Sequence, residues 1–338
     1  MILGDVELHN VAEAREIPGL PGKRLQRVPE DVRLCLNSRA QQRMLSPAGS
    51  EIRFVSGGDR VAVTVSCPEA SAEIIPFWGP FQGRERFAIG REPKTLDLTY
   101  PERLAGLKPD VAAGLSFSPR VWRLTLRGEG LHYHGIEGED LRPPAPEELP
   151  KRRYLAYGTS ITHGAAATAM HLTYVSQTAR RLGADLINLG VGGSAYCEPE
   201  LADYMAARDD WDVATLALSV NMIGGGFSVE AFRERVDYMV NTVAGANPDR
   251  PVACITLYPH FRDFCADQPR ELKEKSTAFR QVLREVVAAC PHPNVRLIEG
   301  PEILADIGGL TVDLIHPGDC GMVQMGERLA QRLGEILG

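Results

Sequence analysis

The chain has 338 residues, 44% of them hydrophobic and 24% charged, a composition that argues against a largely disordered protein. Lys and Arg number 37 against 44 Asp and Glu, a net charge of −7, so no basic excess is present to bind a phosphate backbone and nucleic acid is not an expected partner. At about 100–200 residues per domain, the length predicts two domains or one large one, with a core that needs no disulfide or metal staple.

Short runs rich in Val, Ile, Phe and Trp fill the first half: Glu51–Val55, Arg60–Cys67, Ala72–Trp78, Glu85–Ile89 and Arg120–Arg127. In the second of these, Val61, Val63 and Val65 alternate with polar neighbours, the period-2 pattern of a half-buried strand. Trp122, Leu124 and Leu126 repeat it in the last. Gly57-Gly58-Asp59 and Gly79-Pro80 punctuate the runs as turns. Short strands with regular turns predict a β-sandwich, jelly-roll-like, over residues 1–147. The stretch Leu141–Arg153 carries Pro143, Pro144, Pro146 and Pro150 and reads as a stiff, exposed linker.

From residue 148 to 338 the pattern alternates. Tyr154–Tyr157, Asp185–Leu189, Val213–Leu218, Val252–Leu257 and Val295–Ile298 read as buried strands. Helical stretches lie between them at Leu172–Leu182, Val229–Val243 and Leu272–Ala289, and Met322–Leu337 closes the chain as an amphipathic helix. This alternation predicts an α/β three-layer domain with a doubly wound parallel sheet.

The seven cysteines are odd in number and form no CxxC pair, so reduced thiols and a cytoplasmic location are expected. The N-terminus has no basic region followed by a long apolar run, so no signal peptide is expected. No run of about 18 apolar residues predicts a membrane span.

Four segments carry candidate chemistry. Gly158-Thr-Ser160-Ile-Thr-His163-Gly164 follows the first α/β strand and puts a serine at the carboxyl end of the sheet, where open α/β folds build their sites. The bland alternative is a serine that only caps the helix. Asn188-Leu-Gly190-Val-Gly192-Gly193-Ser194 follows the second strand; it offers a Gly193 N–H to an oxyanion, a GxGxxA dinucleotide turn, or simply a tight turn. Asn221, after the third strand, is either an amide donor or the start of an Asx turn. Asp313-Leu-Ile-His316-Pro317 precedes the last helix; the spacing lets the carboxylate fix one imidazole nitrogen and leave the other as a base, and the rival is a surface pair.

Taken together, the four segments supply a nucleophile, three oxyanion donors (the Ser160 and Gly193 N–H groups and the Asn221 amide), a base and its orienter, the parts of a serine acyl-transfer site. On these blocks the region from Arg153 to Leu337 resembles the SGNH hydrolase superfamily, the GDSL esterases. GTSITHG matches its first block and implies Ser160 as nucleophile. NLGVGG implies Gly193 and SVNM implies Asn221 as oxyanion donors, and DLIH implies Asp313 and His316. Thr159 stands where many members have Asp, and Val220 and Met222 flank the asparagine in place of the usual Gly-x-Asn-Asp. A β-sandwich before such a domain resembles a two-domain branch that includes carbohydrate esterases and natural-product acyltransferases.

Thr159, His163, Tyr258 and His260 are further candidates to line the substrate, and His163 is also a rival base. His132 and His134 share one face of a possible strand and could bind metal, but no Cys joins them nearby, so no metal is expected. Cys197 lacks a neighbouring His and reads as a packed thiol. The expected activity is hydrolysis of a carboxylic ester of a small molecule or carbohydrate, with no cofactor and no membrane partner. Alternatives are an acyltransferase using the same acyl-enzyme, a carbohydrate-binding protein, and a nucleotide-binding oxidoreductase resting on GxGxxA.

Overall fold

A computed structural model describes all residues, 1–338. They fall into two compact units. The first comprises residues 1–30, 42–151 and 183–185, the second residues 31–41, 152–182 and 186–338.

Two antiparallel sheets build the first unit. One runs through Ile2–Leu3, Val6–His9, Glu51–Phe54, Trp122–Gly128, Ala72–Trp78 and Phe81–Gln82, with Phe87–Ile89 also paired to Ala72–Trp78. The other runs through Lys94–Thr99, Arg60–Ser66, His132–Gly138, Lys23–Gln26 and Glu13–Glu16. Val61, Val63 and Val65 are buried, as their alternation predicts, and they share one apolar cluster with Ile52, Phe54, Ile74, Trp122, Leu124 and Leu126 of the other sheet. Trp122 stacks on Phe54 at 5.6 Å between ring centroids and meets Trp78 edge-on at the same distance.

Beside this cluster lies a buried ionic network. Arg53 and Arg123 are directly paired across neighbouring strands, an arrangement that is repulsive by itself. Glu51 relieves it by accepting hydrogen bonds from Arg53 Nε at 2.7 Å and from Arg123 Nε at 2.7 Å. Arg53, 1% exposed, also forms a fork with both oxygens of Asp185 at 2.7 Å each. The sequence predicts Asp185 only as the start of an apolar strand; a lone carboxylate there would be costly, and the arginine fork supplies the missing charge.

The proline-rich stretch is less exposed than expected. Arg142 bridges to Val55 in strand fashion and pairs with Glu148, Pro146–Glu148 forms a 3-10 turn, and Pro150 is buried. His132 and His134 are engaged separately: His132 Nδ1 meets Pro21 O at 2.9 Å, and His134 Nε2 meets Ser66 Oγ at 2.8 Å.

In the second unit a parallel five-stranded sheet has the order Ala184–Asn188, Arg152–Tyr157, Val213–Ala217, Val252–Ile255, Val295–Ile298. The first strand in sequence is thus second in space, the 2-1-3-4-5 order whose switch point lies beside that strand. Val213–Ala217 and Val252–Ile255 are buried throughout, as strands covered on both faces must be. The helix Val229–Ala246 starts where the Ser228 hydroxyl accepts the Ala231 N–H. The last helix, Asp319–Leu337, buries Met322, Met325, Leu329 and Leu333 along one stripe. A Cβ at Gly326 would overlap Gln177, so glycine permits its close approach to the helix Tyr174–Leu182. No helix is long and apolar enough to cross a membrane.

The network makes the first unit acid-sensitive. Burial alone would raise the Glu51 carboxyl, but Arg123 and Arg53 outweigh it and hold it at about 2, below its ordinary 4.5. A group depressed in this way adds stability that is complete above its unfolded value and is lost as pH falls through its folded value. Calorimetric unfolding should therefore show a falling Tm from pH 5 toward pH 2, and Glu51→Gln should be less stable at pH 7 but flatter in this acid limb. An unchanged acid limb in Glu51→Gln would contradict this account.

Candidate active site

The turn that carries Ser160 follows from Gly158. A Cβ there would collide with the Thr162 hydroxyl, so only glycine lets the chain leave the strand and enter the helix Ser160–His163 at once. Thr159, not Ser160, is the cap: its hydroxyl accepts the Ile161 N–H at 3.4 Å. Ser160 is the first helical residue, and its hydroxyl is left for another partner. Gly164, at φ 105°, ends the helix in the left-handed region.

That partner is His316. Ser160 Oγ lies 2.8 Å from His316 Nε2, and His316 Nδ1 lies 2.7 Å from Asp313 Oδ2. Asp313 Oδ1 accepts the Thr311 hydroxyl at 2.8 Å and the N–H groups of Ile315 and His316 at 2.9 Å each. Partial burial raises the Asp313 carboxyl, but these donors prevail and hold it well below the usual carboxylate range. It remains an acceptor, which requires the Nδ1 proton of His316 to point at it and leaves Nε2 toward Ser160.

The other two segments are clamped to each other. Asn221 lies in the short helix Val220–Gly224, and its Oδ1 accepts the Ala195 N–H at 3.2 Å. The Ser219 hydroxyl donates to Ala195 O. Two contacts to one residue therefore tie the Gly193 turn to the end of the third strand, and the Asn221 amide nitrogen is the end left to donate. Asn188 ties the same turn to the helix Ser160–His163, with Nδ2 donating to Thr162 O at 2.9 Å and Oδ1 accepting the Gly190 N–H at 2.8 Å.

His163 does not join the Ser160 pair; its Nδ1 meets Gly190 O at 3.2 Å. Thr159, Tyr258 and His260 line one narrow slot together with Val220 and Ile315, neighbours in sequence of Asn221 and His316. Burial pushes His260 down to about 4, so its ring is neutral at ordinary pH. Cys197 is fully buried, its thiol pushed far up by burial, and its N–H donates to Tyr157 Oη at 3.1 Å; it is a packed thiol. No sequence pattern singled out Asn37 or Arg39, which reach the Gly193 turn from far upstream. Asn37 Nδ2 donates to Ser194 O at 3.2 Å, and only tertiary contact reveals it.

The contact between the two turns is steric as well as polar. A Cβ on Gly190 would overlap the backbone N of His163. Gly190→Ala should cost about 1–3 kcal/mol, as overpacking against a backbone does, and lower the Tm. A Tm equal to that of the parent would show that the turns do not meet this closely.

Residues 151–334 match the GDSL-like lipase/acylhydrolase family. No curated protein matches the sequence. Among solved structures, the salicylyl-acyltransferase SsfX3 from a tetracycline biosynthetic pathway aligns with a TM-score of 0.76 at 16% identity, covering 99% of this chain and 97% of that one. A family two carbohydrate esterase from Clostridium thermocellum, solved with cellohexaose, aligns with a TM-score of 0.58 at 18% identity, covering 86% and 91%. An acetyl xylan esterase from Butyrivibrio proteoclasticus aligns at 0.54 and 12% identity, covering 98% and 99%. At such identities the likeness is one of fold, whereas the sequence match spans more than half of the chain: it belongs to the GDSL-like lipase/acylhydrolase family, within the SGNH hydrolases.

Proposed function

We propose that this protein is a serine esterase that cleaves a carboxylic ester through an acyl-enzyme, with Ser160 as nucleophile, His316 as general base and acid, and Asp313 as its orienter. The observation that carries the reading is the continuous hydrogen-bonded chain from Ser160 Oγ to His316 Nε2 at 2.8 Å and from His316 Nδ1 to Asp313 at 2.7 Å. As Oγ attacks the ester carbon, Nε2 takes its proton and the carbonyl electron pair moves onto oxygen. The oxyanion is met by the Ser160 and Gly193 N–H groups and the Asn221 amide. The intermediate then collapses, the C–O bond breaks, and the imidazolium returns the proton to the leaving alcohol. Water repeats the sequence: it gives a proton to His316, attacks the acyl carbon, and releases the acid and Ser160.

The narrow slot lined by Thr159, Tyr258 and His260 favours a small acyl group, such as an acetyl group on a sugar or small metabolite. A second reading replaces water with an acceptor alcohol. It is favoured by the alignment over nearly the full length with an acyltransferase. Product masses from aryl esters and sugar acetates, with and without added alcohols, separate the two. We also read the two N-terminal sheets as a β-sandwich accessory domain ending near residue 147, supported by their single apolar cluster. The free cysteines support a cytoplasmic location.

Ser160→Ala should reduce kcat by about 10⁶ with the fold intact by circular dichroism. Asn221→Ala should lower kcat by about 10²–10³ with a smaller change in KM, because its amide meets charge that develops in the transition state. His316→Ala should be far more damaging than His163→Ala. The reverse order of the two histidine variants would remove Asp313 and His316 from the mechanism.

A further inference from the structure

Residues 31–41 belong to the same compact unit as the Gly193 turn. Asn37 docks them there: its Nδ2 donates to Ser194 O at 3.2 Å and to the Glu198 carboxylate. Its Oδ1 accepts the Ala40 N–H at 3.0 Å and so caps the helix that begins at Ser38. Arg39, in the first turn of that helix, is thereby set over Gly193. Its guanidinium carbon and two of its nitrogens lie 2.8–3.0 Å from where a Cβ on Gly193 would stand. Gly193 has φ +74°, so a side chain is disfavoured there on backbone grounds too, and the guanidinium fills the space.

This charge is uncommitted. The Arg39 side chain is exposed and makes neither an ion pair nor a hydrogen bond within the chain. The acids around the site are already engaged. Glu198 accepts from Asn37 and from the Tyr196 N–H at 3.3 Å, and Asp313 is held by His316 and its own loop. A planar cation with a fork of N–H donors therefore stands against the glycine whose N–H faces the reacting carbonyl in the esterase reading. Such a fork suits a carboxylate, which it can hold by two parallel hydrogen bonds.

We infer that Arg39 is a specificity-determining residue that binds a carboxylate carried by the ester substrate close to its scissile carbonyl. The inference rests on the esterase reading for the identity of that carbonyl. The carboxylate keeps its charge throughout the reaction, so its contact with Arg39 acts on the ground state and the transition state alike and appears mainly in KM. Salt weakens it, because the guanidinium is exposed.

Two matched pairs of esters test this and tell the acyl side from the alcohol side. 4-Nitrophenyl hemiglutarate against 4-nitrophenyl valerate puts the carboxylate on the acyl group, and 3-acetoxybenzoate against phenyl acetate puts it on the alcohol. The wild type should prefer the anionic member of one pair in kcat/KM. Arg39→Gln should reduce that preference about tenfold or more, through KM; Arg39→Lys should keep part of it; raised salt should shrink it in the wild type alone. Binding of the same anionic ester to the Ser160→Ala protein, by calorimetry, should weaken about tenfold when Arg39→Gln is added. Equal preference in wild type and Arg39→Gln for both pairs, or equal binding in the Ser160→Ala background, would overturn the inference, including where Arg39→Gln slows all esters alike. Ester cleavage that survives Ser160→Ala would instead overturn the nucleophile assignment, and the binding comparison would still decide the role of Arg39.

Discussion

His316 reaches Ser160 in the right tautomer only while Asp313 holds its ring, and Asp313 is itself immobilised by its own loop. One carboxylate oxygen gathers the Thr311 hydroxyl and two backbone N–H groups, which leaves the other for Nδ1. The loop is closed behind it by the Thr311 N–H on His316 O at 2.8 Å. Leu314, between the acid and the base, sits at φ +53°, a conformation that costs an ordinary side chain about 1 kcal/mol. The hydrogen bonds to the charged carboxylate, each worth more than a neutral one, offset that strain.

The rest of the site inherits its position from the carboxyl edge of the parallel sheet. Three strand ends deliver Ser160, the Gly193 turn and Asn221, and two side-chain clamps lock them in register: Asn188 between the first two, Ser219 with Asn221 between the last two. Asn221 gains from this a fixed amide orientation, since its oxygen is occupied by Ala195 and its nitrogen is the free end. In the proposed reaction such preorganisation matters, because donors that need not turn as charge develops lose nothing by reorganising. The glycines serve the same end: where a Cβ would overlap Thr162 or His163, its absence brings the turns into contact.

Much of this was legible in the sequence where one physical signal dominates. The strands of the parallel sheet are short apolar runs, and their observed bounds lie within a few residues of those read from the sequence. The candidate segments stood out because each follows such a run or precedes the last amphipathic helix. Legibility failed where charge masks a strand. Glu13–Glu16, at a sheet edge, and Lys23–Gln26 beside it carry mostly polar side chains, and Lys94–Thr99 shows only Leu96 and Leu98 as its buried alternation. It failed also where the meaning of a residue is tertiary. Nothing local to Asp185 announces the Arg53 fork, and nothing local to Asn37 or Arg39 announces the Gly193 turn. That Thr159 and not Ser160 caps the helix was not legible for a finer reason, because both are good capping residues and only the backbone decides which one caps.

The central claim is that Ser160 forms a covalent acyl-enzyme with His316 as its base. Intact-mass spectrometry of the protein mixed rapidly with an activated acetate ester, followed by peptide mapping, tests it most directly. The account predicts one added acetyl group on the peptide containing Ser160, formed rapidly in the wild type, far more slowly in His316→Ala, and never in Ser160→Ala. An acetyl group that maps elsewhere, or equal rates of its formation in wild type and His316→Ala, would contradict the account.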